Sequence, residues 1–108
     1  MPESAPHTPT LDDVFAHTDD VVARRISGEC LLVPLARRSA ALDAVYNLNR
    51  VGAFIWDRID GARPAAAIAA DVAAHFDVEP RRAAMDLREF AALLLSIGAI
   101  RVAGTSAG

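Results

Sequence analysis

Tyr46-Asn47-Leu48-Asn49-Arg50-Val51-Gly52-Ala53-Phe54-Ile55-Trp56-Asp57-Arg58-Ile59-Asp60-Gly61 passes from a short extended segment into an amphipathic helix and stops at an Asp-Gly pair. Asn49 suits the N-cap, because its side-chain oxygen can accept from backbone N–H groups two or three residues on. Val51, Phe54, Ile55, Arg58 and Ile59 share one face at helical spacing, with Arg58 along its edge. Gly61 can adopt the left-handed conformation that closes a helix. Trp56 lies off that face and is expected to pack as structure, since tryptophan is usually largely buried.

Upstream, Val21–Ile26 and Cys30–Leu35 read as strands flanking the short connection Ser27-Gly28-Glu29. Pro34 cannot donate to a sheet ladder, so it belongs near a strand end or at an edge. Residues 36–43 read as a longer connection into a third strand, Ala44–Leu48. Downstream, the first helix spans about Arg50 to Asp60. A second spans Pro64 to about His75, with Ile68, Val72 and Phe76 four residues apart and Pro64 in its first turn. A third runs from Pro80 to about Ile97, with Leu87, Phe90, Leu94 and Ile97 as its core stripe and Gly98 at its end. Ile100 and Val102 suggest a last extended segment. The predicted organisation is a disordered arm over residues 1–12, one domain over 13–103, and a frayed tail over 104–108. The fold class is α+β, of winged-helix type: a three-stranded antiparallel sheet followed by a three-helix bundle. The strands alone bury too little and need the helices as a second layer.

Composition narrows the function classes. A chain of 108 residues with a net charge of −3 supports one modest core and offers no general attraction to nucleic acid. All basic residues are arginines, which pair well with carboxylates. Cys30, the single cysteine, sits in an apolar run and reads as a small buried hydrophobe. The proline-rich N-terminus is unlike a signal peptide, and no apolar run approaches membrane-spanning length, so the expected setting is the cytoplasm, with no membrane partner. His7, His17 and His75 are scattered and show no zinc spacing. Asp12-Asp13 and Asp19-Asp20 lack the glycine of a calcium loop. There is no phosphate-binding glycine loop and no nucleophile–base constellation. The chain therefore reads as a non-enzyme, with no cofactor and no metal.

The order Leu48-Asn49, Gly52, Ile55-Trp56 and Asp60-Gly61 resembles the first helix of PqqD-like proteins, the recognition modules for ribosomally made, enzymatically modified peptides. The resemblance extends from about Val21 to Ile100. It continues through Ile68, Ala69, Phe76, Asp77 and Val78, then Asp86, Leu87, Phe90, Leu94 and Gly98. Pro64 departs from it, standing where such proteins often place a Ser or Thr cap. Helix two must then begin without that cap or with a substitute.

The resemblance implies a peptide-binding function: a precursor's leader adds as a strand to the edge of the sheet, in the groove between the third strand and the third helix. An open edge offers unpaired backbone groups, and pockets beneath alternate side chains supply specificity. On this reading Ala44, Val45, Tyr46, Asn47 and Leu48 form the edge. Wheel geometry adds Ala84, Arg88, Ala91 and Leu95 from helix three, with Arg88 pairing a leader Asp or Glu. The implied partners are a leader peptide and a modifying enzyme, often a radical S-adenosylmethionine enzyme. The contrasting readings are a winged-helix DNA-binding regulator using Arg81, Arg82 and Arg88, and an adaptor that binds only a partner protein. Glu79, Asp86 and Glu89 on the same helix argue against DNA.

Overall fold

The computed structural model describes residues 8–35 and 45–105. Its order is β1 (Asp13–His17), β2 (Val21–Ile26), β3 (Glu29–Pro34), β4 (Tyr46–Leu48), α1 (Arg50–Arg58), α2 (Ala65–Phe76), α3 (Pro80–Ser96) and β5 (Ile100–Thr105). The fold is α+β, with three helices and antiparallel sheets. β2, β3 and β4 form one sheet in that order, and β1 pairs with β5 in a second. The β2–β3 hairpin turns on Ser27 (φ 52°) and Gly28 (φ 82°). Two successive positive φ values make the tight turn whose twist matches that of paired strands. Ala44 and the 36–43 connection fall outside the described residues.

Pleating divides the larger sheet cleanly. Val21 faces Pro34, Ala23 faces Leu32, and Cys30 and Leu32 face Leu48 and Tyr46 across the ladders. This set meets the helices, with Val21, Cys30, Leu32 and Leu48 all buried. Burial pushes the Cys30 thiol above its ordinary pKa, in keeping with a packed rather than a reactive cysteine. Ile55, Trp56, Ile59, Ile68, Val72, Leu87 and Leu94 complete the core from the helical side.

The helix ends follow local chemistry. Asn49 Oδ1 accepts from Gly52 N at 2.8 Å, so Asn49 caps α1. α1 stops at Arg58 rather than Asp60. Ile59 is extended and buried, and Gly61 takes its positive φ (80°) in the turn beyond the helix. Asp60 Oδ1 accepts from the N–H groups of Ala62 and Arg63, which holds this carboxyl below its usual pKa. Pro64 is the N-cap of α2 rather than a member of its first turn, and offers no side-chain cap. The substitute is Leu11, whose carbonyl accepts from Ala66 N at 2.9 Å. α3 closes with Gly98 at φ 77°: Ala99 N donates to Leu94 O and Gly98 N to Leu95 O, the paired bonds of a Schellman ending.

Three sequence expectations need correction. The arm over residues 1–12 is not uniformly disordered: Pro9 is buried, Arg88 Nε donates to Pro9 O, and Leu11 packs on the core. Residues 1–7 lie outside the described residues. The tail does not begin at 104, since Gly104 and Thr105 pair with Val14 and Asp13. The buried face of α1 centres on Gly52, Ile55 and Trp56, while Val51 and Phe54 are only half-buried. α1 packs against α2 and β4, and its Trp56 meets His17 of β1. Trp56 is 4% exposed, with His17 of β1 stacked on it at 3.8 Å and 10° between planes.

Candidate functional site

β4 is only three residues long and sits at one edge of its sheet, with β3 on its other side. Val45 before it is 52% exposed, Asn47 is exposed, Tyr46 is half-buried and Leu48 is buried. Asn47 Nδ2 donates to Glu29 Oε1 at 3.3 Å on the outer sheet face. Among the described residues, the segment 45–48 pairs on one side only, with β3, and alternates inward and outward side chains. It carries no charge. β2, at the opposite edge, carries Arg24 and Arg25 in mid-strand, and Arg25 is bonded to Asp57 of α1. Charged residues on an edge strand discourage pairing with a further strand, so the two edges differ in their readiness to accept one.

A cavity of about 270 Å³ opens between the first two turns of α1, which follows β4 in the chain, and the middle of α3. It is lined by Asn49, Val51, Gly52, Ile55, Asp86 and Phe90. Gly52 matters here for its missing Cβ, which would stand 3.3 Å from the Phe90 ring and from Asn49 Oδ1. Phe90 thus closes on the α1 backbone and forms one wall. Leu93, 42% exposed, falls on the same flank of α3 as Asp86 and Phe90 at helical spacing.

The α3 residues chosen from wheel geometry lie elsewhere. Ala91 is 1% exposed and belongs to the core with Ala83, Leu87 and Leu94. Arg88 is exposed on the other flank, where its Nε donates to Pro9 O at 3.2 Å. Ala84 and Leu95 share that flank and are half-buried, packed on the core. The wheel locates the core stripe, but only packing shows that the Phe90 flank lies against α1 and the Arg88 flank against Pro9. Asp86 and Phe90, which belong to the resemblance positions, line the cavity beside α1, and the wheel did not select them. The absent Cβ of Gly52 was the available signal.

Among the described residues, no group of three or more His, Cys, Asp or Glu side chains is placed to hold a metal. No helix among them is long and apolar enough to cross a membrane.

The family model for coenzyme PQQ synthesis protein D (PqqD) matches residues 29–100, well over half of the chain. The chain belongs to the PqqD family. The matched span covers β3, β4, all three helices and the start of β5, and so includes every residue lining the cavity between α1 and α3. A solved structure, TbiB1 in complex with the TbiA(beta) leader peptide, shares the fold of this PqqD-family chain. Its TM-score is 0.67 at 23% identity, covering 80% of this chain and 94% of that one. No curated protein matches the sequence.

Proposed function

We propose that this PqqD-family chain is a non-catalytic module that binds the leader of a ribosomally made precursor peptide and presents the precursor to a modifying enzyme. The observation that carries this reading is the uncharged edge of β4 beside the cavity walled by Gly52 and Phe90. Val45, Tyr46, Asn47 and Leu48 supply backbone pairing and alternate side-chain positions; Ala44 lies outside the described residues. Asp86, Phe90 and Leu93 form the helical wall, in place of Ala84, Arg88, Ala91 and Leu95. Family membership supports the reading, as does the leader peptide bound to TbiB1, a protein of the same fold.

The module works by raising the local concentration of the precursor at its enzyme and fixing its direction, with no bond chemistry of its own. The sheet-then-helices order is of winged-helix type. DNA binding fits poorly: the net charge is −3, and Glu79, Asp86 and Glu89 stand among the arginines of helix three. A radical S-adenosylmethionine enzyme in the cytoplasm remains the partner implied by the family resemblance.

The test is a nitrogen-15 NMR titration with the leader encoded by the short open reading frame beside the gene. Shifts concentrated at Val45–Leu48, Phe90 and Leu93 are expected. Saturable binding that leaves those residues unmoved and shifts β2 instead would overturn the assignment.

A further inference from the structure

The charge in the groove is the reverse of what helix three suggests when read as a wheel. Arg88 is turned toward Pro9, and the ionisable side chain lining the cavity between α1 and α3 is Asp86. Building on the leader-binding reading, we propose that the groove selects a leader with a Lys or Arg two residues from an apolar anchor. The anchor fills the cavity against Phe90 and Gly52, and the cation pairs with Asp86.

Spacing supports the pair. Asp86 and Phe90 stand about one helical turn apart, roughly 6 Å along α3. Two residues of an extended strand rise roughly 6.8 Å and bring their side chains to one face. A leader strand lying along α3 with its anchor at Phe90 therefore carries the residue two positions away to Asp86. The cavity walls Val51, Ile55 and Phe90 are apolar, and the Asn49 oxygen is occupied by the N–H of Gly52.

Asp86 is already paired, but weakly placed. Arg82 Nε reaches its two oxygens at 3.1 and 3.2 Å, with side-chain exposures of 69% and 41%. Exposed pairs of this kind contribute little. Arg82 also precedes Asp86 by four residues, the less favourable order on a helix. It stands in the first turn of α3, where the helix dipole opposes a cation. A leader cation arriving from beyond the groove can replace it at small cost. The other nearby arginines are directed elsewhere: Arg50 lies over the Phe76 ring and Arg25 pairs with Asp57.

The experiment is a display selection of random dodecapeptides on the immobilised full chain, run in parallel on Asp86→Asn, with enriched peptides mapped by NMR. Peptides that shift Val45–Leu48 are expected to show an apolar residue with Lys or Arg two positions away. The basic residue should be about fivefold over-represented on the wild type and not on Asp86→Asn, while the apolar anchor persists on both. Thermal unfolding of Asp86→Asn checks that the fold is kept, and Arg88→Gln should leave the basic preference intact. Enrichment of an apolar anchor at the β4 edge without a basic preference would overturn the Asp86 assignment and leave the leader groove standing. Enriched peptides that shift residues elsewhere and never β4 would overturn both.

Discussion

Single residues in this chain set helix ends more than they set the core. Asn49 donates nothing to the hydrophobic cluster, yet its side chain satisfies Gly52 N and fixes where α1 begins beside β4. Asn49→Ala should cost about 1 kcal/mol, read as a lower midpoint in urea unfolding with an unchanged slope. Asp60 acts similarly in the turn after α1. Its carboxylate accepts from Ala62 and Arg63 N–H, so its folded pKa lies below the ordinary value of 3.8. A depressed carboxylate stabilises the fold above its unfolded pKa and loses that contribution as pH falls through its folded pKa. Asp60→Asn should therefore flatten the acid limb of the stability curve below about pH 4. An acid limb identical to wild type would count against this role.

At the scale of elements, the β2–β3 hairpin and the two flanks of α3 are the informative cases. Ser27 holds φ 52° ahead of Gly28, a conformation that asparagine tolerates better than serine. Ser27→Asn is expected to raise the melting temperature by the equivalent of a few tenths of a kcal/mol, and Gly28→Ala to lower it. The α3 flanks should separate binding from stability. Leu93→Glu, on the exposed groove flank, should reduce leader affinity about tenfold or more with little change in melting temperature. Leu95→Glu, half-buried on the other flank, should lower the melting temperature and leave affinity near wild type. Equal affinity losses in both variants would mean that the flanks are misassigned. The core stripe of α3 was readable from Leu87 and Leu94, because burial repeats with the helical period. Which flank lies against α1 was not, because a wheel carries no information about neighbours.

At the scale of the whole molecule, β1 clasps segments far from it in the chain. β1 pairs with β5, Gly61 N donates to Phe15 O, and Leu11 O takes the first-turn N–H of α2. Phe15 is buried within the hydrophobic cluster. Phe15→Ala should cost about 3–5 kcal/mol and loosen β1, β5 and the start of α2 together. Hydrogen exchange should show protection falling in all three. Loss confined to β1 would mean that the clasp is not cooperative.

The hairpin, the three helices, their caps at Asn49 and Gly98, and the resemblance carried by Leu48 through Gly61 were legible in the sequence. Each depends on residues within a few positions of one another, where alternation, helical period and turn chemistry act. β1 was not legible: Asp13–His17 is short, begins with a charged residue, and finds its partner in β5 more than eighty residues away. The same holds for His17 stacking on Trp56, for Leu11 replacing the cap that Pro64 lacks, and for Arg88 donating to Pro9 O. These contacts join segments far apart in the chain, and only the packing of the folded molecule brings them within reach.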